Sequence, residues 1–367
     1  MNIVFDARVH LNYYSGISRY IICLLEAYAR LYPTDRICVL LNPTIEKTNS
    51  IYNVLGRFPQ ISFTQVNAGH MGPKNYTKMG KIIKQLNPDV YHYPHLDAPI
   101  YTGNVPVVAT VHDSNSDKNI KKFDDKFGLK TVYFKYALRS TLKKADHVIF
   151  VSDSIKSSIL NQYNIPEDED RFTRIHNGFE PDFNKINSED EQRFIHTKGI
   201  QKPYLLFVGQ IREHKNIFRV IEAFNQFRAG NPNYHLVIVG HNYLNLNLST
   251  DAIHHFDRVN NDELKMLYAN CKAFVFPSLF EGFGFPILEA FSFGKPVITS
   301  NYGATKEVSM GEAILVDPFS VNSIRNGMVT AIQSDNNDEQ RKRVAASYSW
   351  ETYAHKLRTI YCKVIKS

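Results

Sequence analysis

The sequence predicts an α/β protein of two Rossmann-like halves, each a parallel sheet with helices on both faces, and three observations carry that prediction. Short β-branched and aromatic runs alternate with helix-period stretches along all 367 residues. A polar segment from Asn177 to Pro203, containing "NGFEPDF" and "NSEDEQRF", breaks the alternation once. Polar and glycine-containing segments follow the strands at their carboxyl ends, where open α/β sheets bind ligands. The expected domains are residues 1–180 and 200–349, with a helix at about 350–367 packing back on the first and the active site in the cleft between them. One large α/β sheet is the alternative, and the long polar break counts against it.

Taken in order, "NIVFDA" reads as a strand, and residues 17–31 as a helix whose Ile17, Ile21, Leu24, Leu25 and Tyr28 fall at helical spacing. "ICVLLN", "DVYHYP", "VPVVATVHD" and "HVIFVS" are further strands of the first half. "YLLFVG" opens the second series, which continues through "HLVIVG", "AFVFPS", "KPVITS" and "AILVDP", each followed by a helical stretch.

Composition narrows the functional classes. The four cysteines are scattered and form no C-x-x-C pair, which argues against a zinc ribbon or disulfide framework and fits a reducing cytoplasm. No apolar run approaches the roughly 20 residues of a membrane-spanning helix, and Asp6 interrupts the first one, so neither export nor a span is expected. Part of the net charge of +7 is concentrated. Lys74, Lys78, Lys81 and Lys84 recur at helical spacing, and basic residues from Lys118 to Lys144 interleave with Phe123, Phe127, Tyr133, Phe134 and Tyr136. Two readings stand: peripheral docking on anionic lipid, or a solvated helix face with its aromatics in the core. Nucleic acid is disfavoured, because no recognition-helix, zinc-finger or RNA-platform signature accompanies the charge.

Candidate chemistry gathers in the second half. In "FPSLFEGFGFPILEA", Phe274 to Phe276 ends a buried strand and Pro286 opens a helix at its first position, where a missing N–H costs least. Glu281 then lies in the loop above the sheet and Glu289 about one turn into the helix, whose free N–H groups point back toward that loop. That arrangement suits an anionic ligand bearing hydroxyls. "VGQIREHKNIFRVIEAF" likewise runs from a strand into a helix, so its loop either presents Arg212, His214 and Lys215 to phosphates or is a solvated turn. "GFGFPI" is not a dinucleotide fingerprint, since Ile287 occupies the third glycine position. "EDEDR" at 167–171 mimics a metal-binding D-x-D but reads better as a solvated loop, and no metal site is expected.

Taken together with "FPSLFEGFGFPILEAFSFGKPVITSNYGATKEV" and "ILVDP", this series resembles the retaining family 4 glycosyltransferases of the GT-B fold. The resemblance runs over nearly the whole chain, through "SGISRY", "VHD" at 111–113, "ADHVIFVSDS", "RIHNGFE" and "YSWETYAHKL". The first-half pieces look most like the mannosyltransferase B type, which assembles bacterial surface polysaccharides. The resemblance implies that Glu281 contacts the donor sugar and Glu289 holds the ribose hydroxyls. It implies that Phe283, Gly284 and Phe285 offer backbone N–H groups to sugar and diphosphate, and that Lys215 binds phosphate. His112 matches a family histidine near the donor sugar and acceptor; a structural histidine is the alternative. Gly16 matches a glycine of the loop closing over the diphosphate, while Arg19 faces either an acceptor phosphate or solvent on a helix surface. Two departures stand out: relatives carry arginine where this chain has His214 or Gln210, and Arg212 is the expected substitute.

The function so implied is transfer of a sugar, with retention, from a nucleotide diphosphate sugar to a lipid-linked or lipopolysaccharide glycan. GDP-mannose is the first expectation for the donor and a UDP-sugar the second, with no further cofactor. The rival expectations are a sugar phosphorylase or epimerase of the same fold, and a non-catalytic nucleotide-sugar-binding subunit.

Overall fold

The computed structural model describes residues 1–12, 15–69, 73–98, 102–113, 129–186, 194, 198–334 and 337–366. The chain divides into two units, Met1–Gly178 with Ser349–Ser367, and Phe179–Tyr348. In unit 1, β1 (Asn2–Asp6), β2 (Arg36–Leu41), β3 (Ile61–Gln65), β4 (Val90–Tyr93), β5 (Val107–Val111), β6 (His147–Phe150) and β7 (Phe172–Arg174) form one parallel sheet. Their order is β3-β2-β1-β4-β5-β6-β7. Its helices are α1 (Gly16–Leu31), α2 (Ser50–Leu55), α3 (Pro73–Leu86), α4 (Leu129–Lys144) and α5 (Asp153–Tyr163).

Unit 2 repeats the plan with β8 (Tyr204–Val208), β9 (His235–Val239), β10 (Ile253–Phe256), β11 (Ala273–Phe276), β12 (Val297–Ser300) and β13 (Ile314–Val316). These run parallel in the order β10-β9-β8-β11-β12-β13. Around them lie α6 (Ile217–Arg228), α7 (Asn261–Asn270), α8 (Phe285–Ser292), α9 (Gly303–Val308), α10 (Val321–Gln333) and α11 (Asp338–Ser347). The last helix, α12 (Trp350–Lys366), belongs to unit 1.

Local chemistry sets these boundaries. Ser15 caps α1 by accepting the Ser18 N–H at 3.2 Å, and Asn260 and Glu263 close a reciprocal capping box on α7. Strands β4, β5, β6, β9 and β11 are buried along their whole length, as expected where helices cover both faces of a parallel sheet. Gly240 is demanded by packing: at φ +144°, a Cβ there would sit 2.0 Å from the Gly209 carbonyl oxygen. In unit 1, Tyr20 of α1 and Tyr353 of α12 share a hydrogen bond at 3.0 Å, and Tyr361 of α12 bonds His92 of β4.

Within the polar segment, the described residues 179–186 group with unit 2. Phe183 packs on Tyr268 and Phe293 at ring distances of 6.3 and 6.2 Å, and Asn184 donates to the Ser292 carbonyl at 3.0 Å. Helix α8 begins at Phe285, so Pro286 occupies its second position rather than its first. Gly284 precedes the helix at φ +122°, a conformation that side chains disfavour.

Candidate functional site

In unit 2 the winding of the sheet changes direction between β8 and β11, and open α/β sheets bind ligands at that switch point. The loops leaving these two strands carry the predicted cation and carboxylate, and the structure joins them. Lys215 Nζ meets Glu281 Oε1 at 2.5 Å, with the side chains 15 and 14 % exposed. The ammonium also lies 5.0 Å from the centre of the Phe276 ring.

Asn216, which the sequence reading passed over, fastens the surrounding loops. It is buried at φ +64°, and its Nδ2 donates to the carbonyls of Pro277 at 3.0 Å and Pro318 at 2.7 Å. Arg219 donates to its Oδ1 at 3.0 Å, and the Leu279 N–H donates to the His214 carbonyl at 2.8 Å. The available signal was an asparagine directly before a helix, a residue type that tolerates positive φ.

The remaining predicted residues of unit 2 surround this pair. Glu289, the fifth residue of α8, is buried and accepts a hydrogen bond from the Tyr268 hydroxyl at 2.8 Å. The Phe283 ring is buried between Phe285 and Tyr348, at 5.2 and 5.7 Å. Only its backbone is left for a ligand. Arg212 donates through Nε to Gln210 Oε1 at 3.0 Å, and its guanidinium lies 3.8 Å from the centre of the Tyr243 ring. Tyr243 was not anticipated as its partner.

In unit 1, His112 directly follows β5 and meets the Tyr20 ring edge-on at 4.3 Å. Its Nε2 is buried with no hydrogen-bond partner among the described residues, and burial pushes its pKa down to about 3. At neutral pH the ring is uncharged, so it acts as a hydrogen-bonding group and not as a cation. Gly16 is the first residue of α1, and a Cβ there would touch nothing among the described residues within 4 Å. Nothing in the described fold demands glycine at this position. Arg19 is buried, which overturns the helix-surface alternative.

A larger omission lies at the end of β1. Arg8 is fully buried, with Nη2 2.6 Å from Asp6 Oδ2 and 2.8 Å from Asn75 Oδ1. Its Nη1 donates to the carbonyls of Ala68 and Gly69 at 3.2 and 3.0 Å, while Tyr91 donates to Asp6. This network ties the loop after β1 to the loop after β3. Its sequence signal was a charged pair two residues apart at a strand end.

Two polar segments are also accounted for. In "EDEDR", Glu167 pairs with Lys156 and Asp170 with Lys363, at 2.5 and 2.6 Å. Lys78, Lys81 and Lys84 are exposed on α3; Lys118 to Lys126, Phe123 and Phe127 lie outside the described residues. On α4, Phe134 is buried, whereas Val132 and Tyr136 are exposed beside Lys135 and Arg139. No helix of the described residues is long and apolar enough to cross a membrane.

The buried histidines give unit 1 a pH dependence. His92, bonded to Thr110 at 2.9 Å, is also pushed down to about 3 by burial. The unfolded chain takes up these protons near pH 6.5 whereas the folded unit does not, so stability rises with pH up to about 6.5 and falls below it. The fluorescence of Trp350, the single tryptophan, reports on unit 1. The urea midpoint it reads is expected to fall between pH 7 and 5; a flat response would contradict neutral burial of both rings.

Comparison with known proteins identifies related chains. Residues 14–183 match the family model "Glycosyltransferase Family 4" and residues 188–350 the model "Glycosyl transferases group 1". The chain is 33 % identical over 220 residues to the O-antigen chain mannosyltransferase RfbU of Salmonella typhimurium, covering 57 % of this chain and 56 % of that one. It is 26 % identical over 234 residues to O-antigen chain mannosyltransferase B of Escherichia coli, covering 60 % and 61 %. The matched stretch thus spans only a little over half the length of these curated relatives. Among solved structures, a glycosyltransferase from Rickettsia africae superposes with a TM-score of 0.75 at 18 % identity, covering 100 % of this chain and 99 % of that one. Anabaena HepE in complex with UDP and glucose gives 0.68 at 18 %, covering 100 % and 98 %. At such identities these two structures speak for the fold alone.

Proposed function

Since the chain belongs to the family 4 glycosyltransferases and has their fold of two parallel α/β sheets, we propose that it transfers a sugar from a nucleotide diphosphate sugar to a glycan hydroxyl. The observation that carries this reading is the Lys215–Glu281 contact across the β8/β11 switch point, beside the N-terminus of α8. A diphosphate arriving there would take Lys215 as its counter-ion and be met by the helix N-terminus. Glu281, released from the ammonium, would then accept hydroxyls of the donor sugar. Glu289, which accepts a hydrogen bond from Tyr268, would receive the ribose hydroxyls, and Arg212, stacked on Tyr243, would supply a second positive charge.

The donor we infer is GDP-mannose, in keeping with the mannosyltransferase relatives, with a UDP-sugar as the second choice. The acceptor is a lipid-linked or lipopolysaccharide glycan. The acceptor oxygen bonds to the anomeric carbon on the face from which the diphosphate leaves. The bond from that carbon to the phosphate oxygen breaks with its electron pair on the diphosphate, which also receives the acceptor proton. Configuration is retained and no protein nucleophile takes part. Positive charge at the diphosphate lowers the barrier because it is already in place when the leaving group's charge develops. Neutral His112 hydrogen-bonds the sugar or acceptor. The exposed Val132 and Tyr136, with Lys135 and Arg139, offer α4 as a face for docking on anionic lipid.

A thermal-shift panel of GDP, UDP, ADP and their sugars tests the reading. One nucleotide family is expected to raise the melting temperature by mass action, followed by turnover of its sugar in the presence of acceptor. Stabilisation by none would refute a nucleotide site, and binding without any turnover would indicate a non-catalytic binding subunit.

A further inference from the structure

Tyr268 of α7 is fully buried, and three rings fix its place: Phe274 at 5.4 Å, Phe183 at 6.3 Å, and Phe293, nearly parallel to it, also at 6.3 Å. A phenylalanine would fill this aromatic cluster equally well. Packing therefore does not explain the hydroxyl, and burying one is costly unless it is hydrogen-bonded. The hydroxyl donates to Glu289 Oε2 at 2.8 Å, which ties α7 to α8. The helix that carries it is itself anchored. The capping box of Asn260 and Glu263 sets its first turn, and the Leu267 carbonyl accepts the Tyr204 hydroxyl of β8 at 2.8 Å.

Glu289 has a use for such a partner. Its backbone is held in α8, where its carbonyl accepts the Ser292 hydroxyl at 2.8 Å. The last torsion of a glutamate is broad and roughly two-fold, however, so the helix alone does not set the plane of the carboxylate. The vicinal hydroxyls of a ribose are two donors at a fixed separation, and one carboxylate meets both only over a limited range of orientations. A carboxylate has about four acceptor positions, so a bond from the phenol sets the plane without exhausting it.

We propose that Tyr268 is a positioning residue: it holds the Glu289 carboxylate in the orientation that reads the donor's ribose, and thereby sets how strongly the protein prefers a ribonucleotide to a deoxyribonucleotide. The role rests on the glycosyl-transfer reading above and adds to it a residue that acts only through another. The diphosphate separates the ribose from the reacting carbon, so the effect belongs to donor binding. Tyr268→Phe is expected to raise KM for the donor about tenfold and to leave kcat within about twofold.

The decisive measurement is calorimetric titration of the full chain with GDP and with UDP, each beside its 2′,3′-dideoxy form. The parent is expected to bind the ribonucleotide of one base at least about tenfold more tightly than the dideoxy form, and Tyr268→Phe to bring that ratio to within about twofold of unity. In a Glu289→Ala background the same substitution is expected to leave the ratio unchanged. A packing defect would weaken both forms alike, and a ratio taken on one sample is independent of how much of that sample is folded. A parent ratio retained in Tyr268→Phe, an effect on the ratio that survives in Glu289→Ala, or equal binding of the two forms by the parent would each overturn the positioning role while leaving diphosphate binding intact. A parent that binds neither GDP nor UDP would remove the glycosyl-transfer reading, and this role with it.

Discussion

Replacing Lys215 by alanine is expected to lower kcat/KM for sugar transfer by about 10²- to 10³-fold, the usual loss when one preorganised charge-stabilising donor is removed. The size follows from where the ammonium sits. It is largely buried, at the switch point of unit 2, in a loop that Asn216 fastens to its neighbours. The substitution also leaves Glu281 without its counter-ion, so loss of activity alone would not identify the cause. Binding of the free nucleoside diphosphate by the double variant Lys215→Ala, Glu281→Gln separates the possibilities, since that ligand lacks the sugar that Glu281 is proposed to hold. If the diphosphate has lost its counter-ion, the nucleotide stabilises the double variant as poorly as the single one; if a stray carboxylate were to blame, that stabilisation would return. Lys215→Ala with kcat/KM within about twofold of the parent would sink the proposed role.

The largest expected effect on stability is at the other end of the chain. Arg8→Ala leaves the Asp6 carboxylate buried and strips partners from Asn75 and from the carbonyls of Ala68 and Gly69. Breaking a buried ion pair on one side costs about 3–5 kcal/mol. Urea unfolding followed by Trp350 fluorescence is expected to show that loss in unit 1. Removing both charges with Asp6→Leu and Arg8→Met is expected to recover part of it, because no unpaired charge then remains. An Arg8→Ala midpoint equal to that of the parent protein would mean that the network contributes nothing net.

The contrast between these two sites shows what could be read from sequence. Lys215 and Glu281 stand in the loops that follow apolar runs, so the strands announced the loops, and the family resemblance pointed to the residues within them. Their mutual contact was not legible, since 66 residues separate them and only the pairing of β8 with β11 brings their loops together. Asp6 and Arg8 gave no comparable signal, because a buried ion pair and an exposed one look alike in a sequence.

The strands divide in the same way. Those buried on both faces, such as β6 and β11, were recognised from their apolar runs. The three that went unrecognised, β3, β7 and β10, are sheet edges with partly exposed, polar-rich sequences. Edge strands lack the hydrophobic pattern because one side has no neighbour to bury it.

The position of α12 bears on how the molecule is made. Unit 1 is encoded in two pieces separated by the whole of unit 2, so the ribosome finishes unit 2 before it delivers the helix that completes unit 1. Until then Tyr20 and His92 lack their hydroxyl partners Tyr353 and Tyr361, and the nascent first unit carries an uncovered aromatic face. Co-translational folding therefore leaves an adhesive intermediate for the duration of that synthesis, the kind of species on which chaperones act.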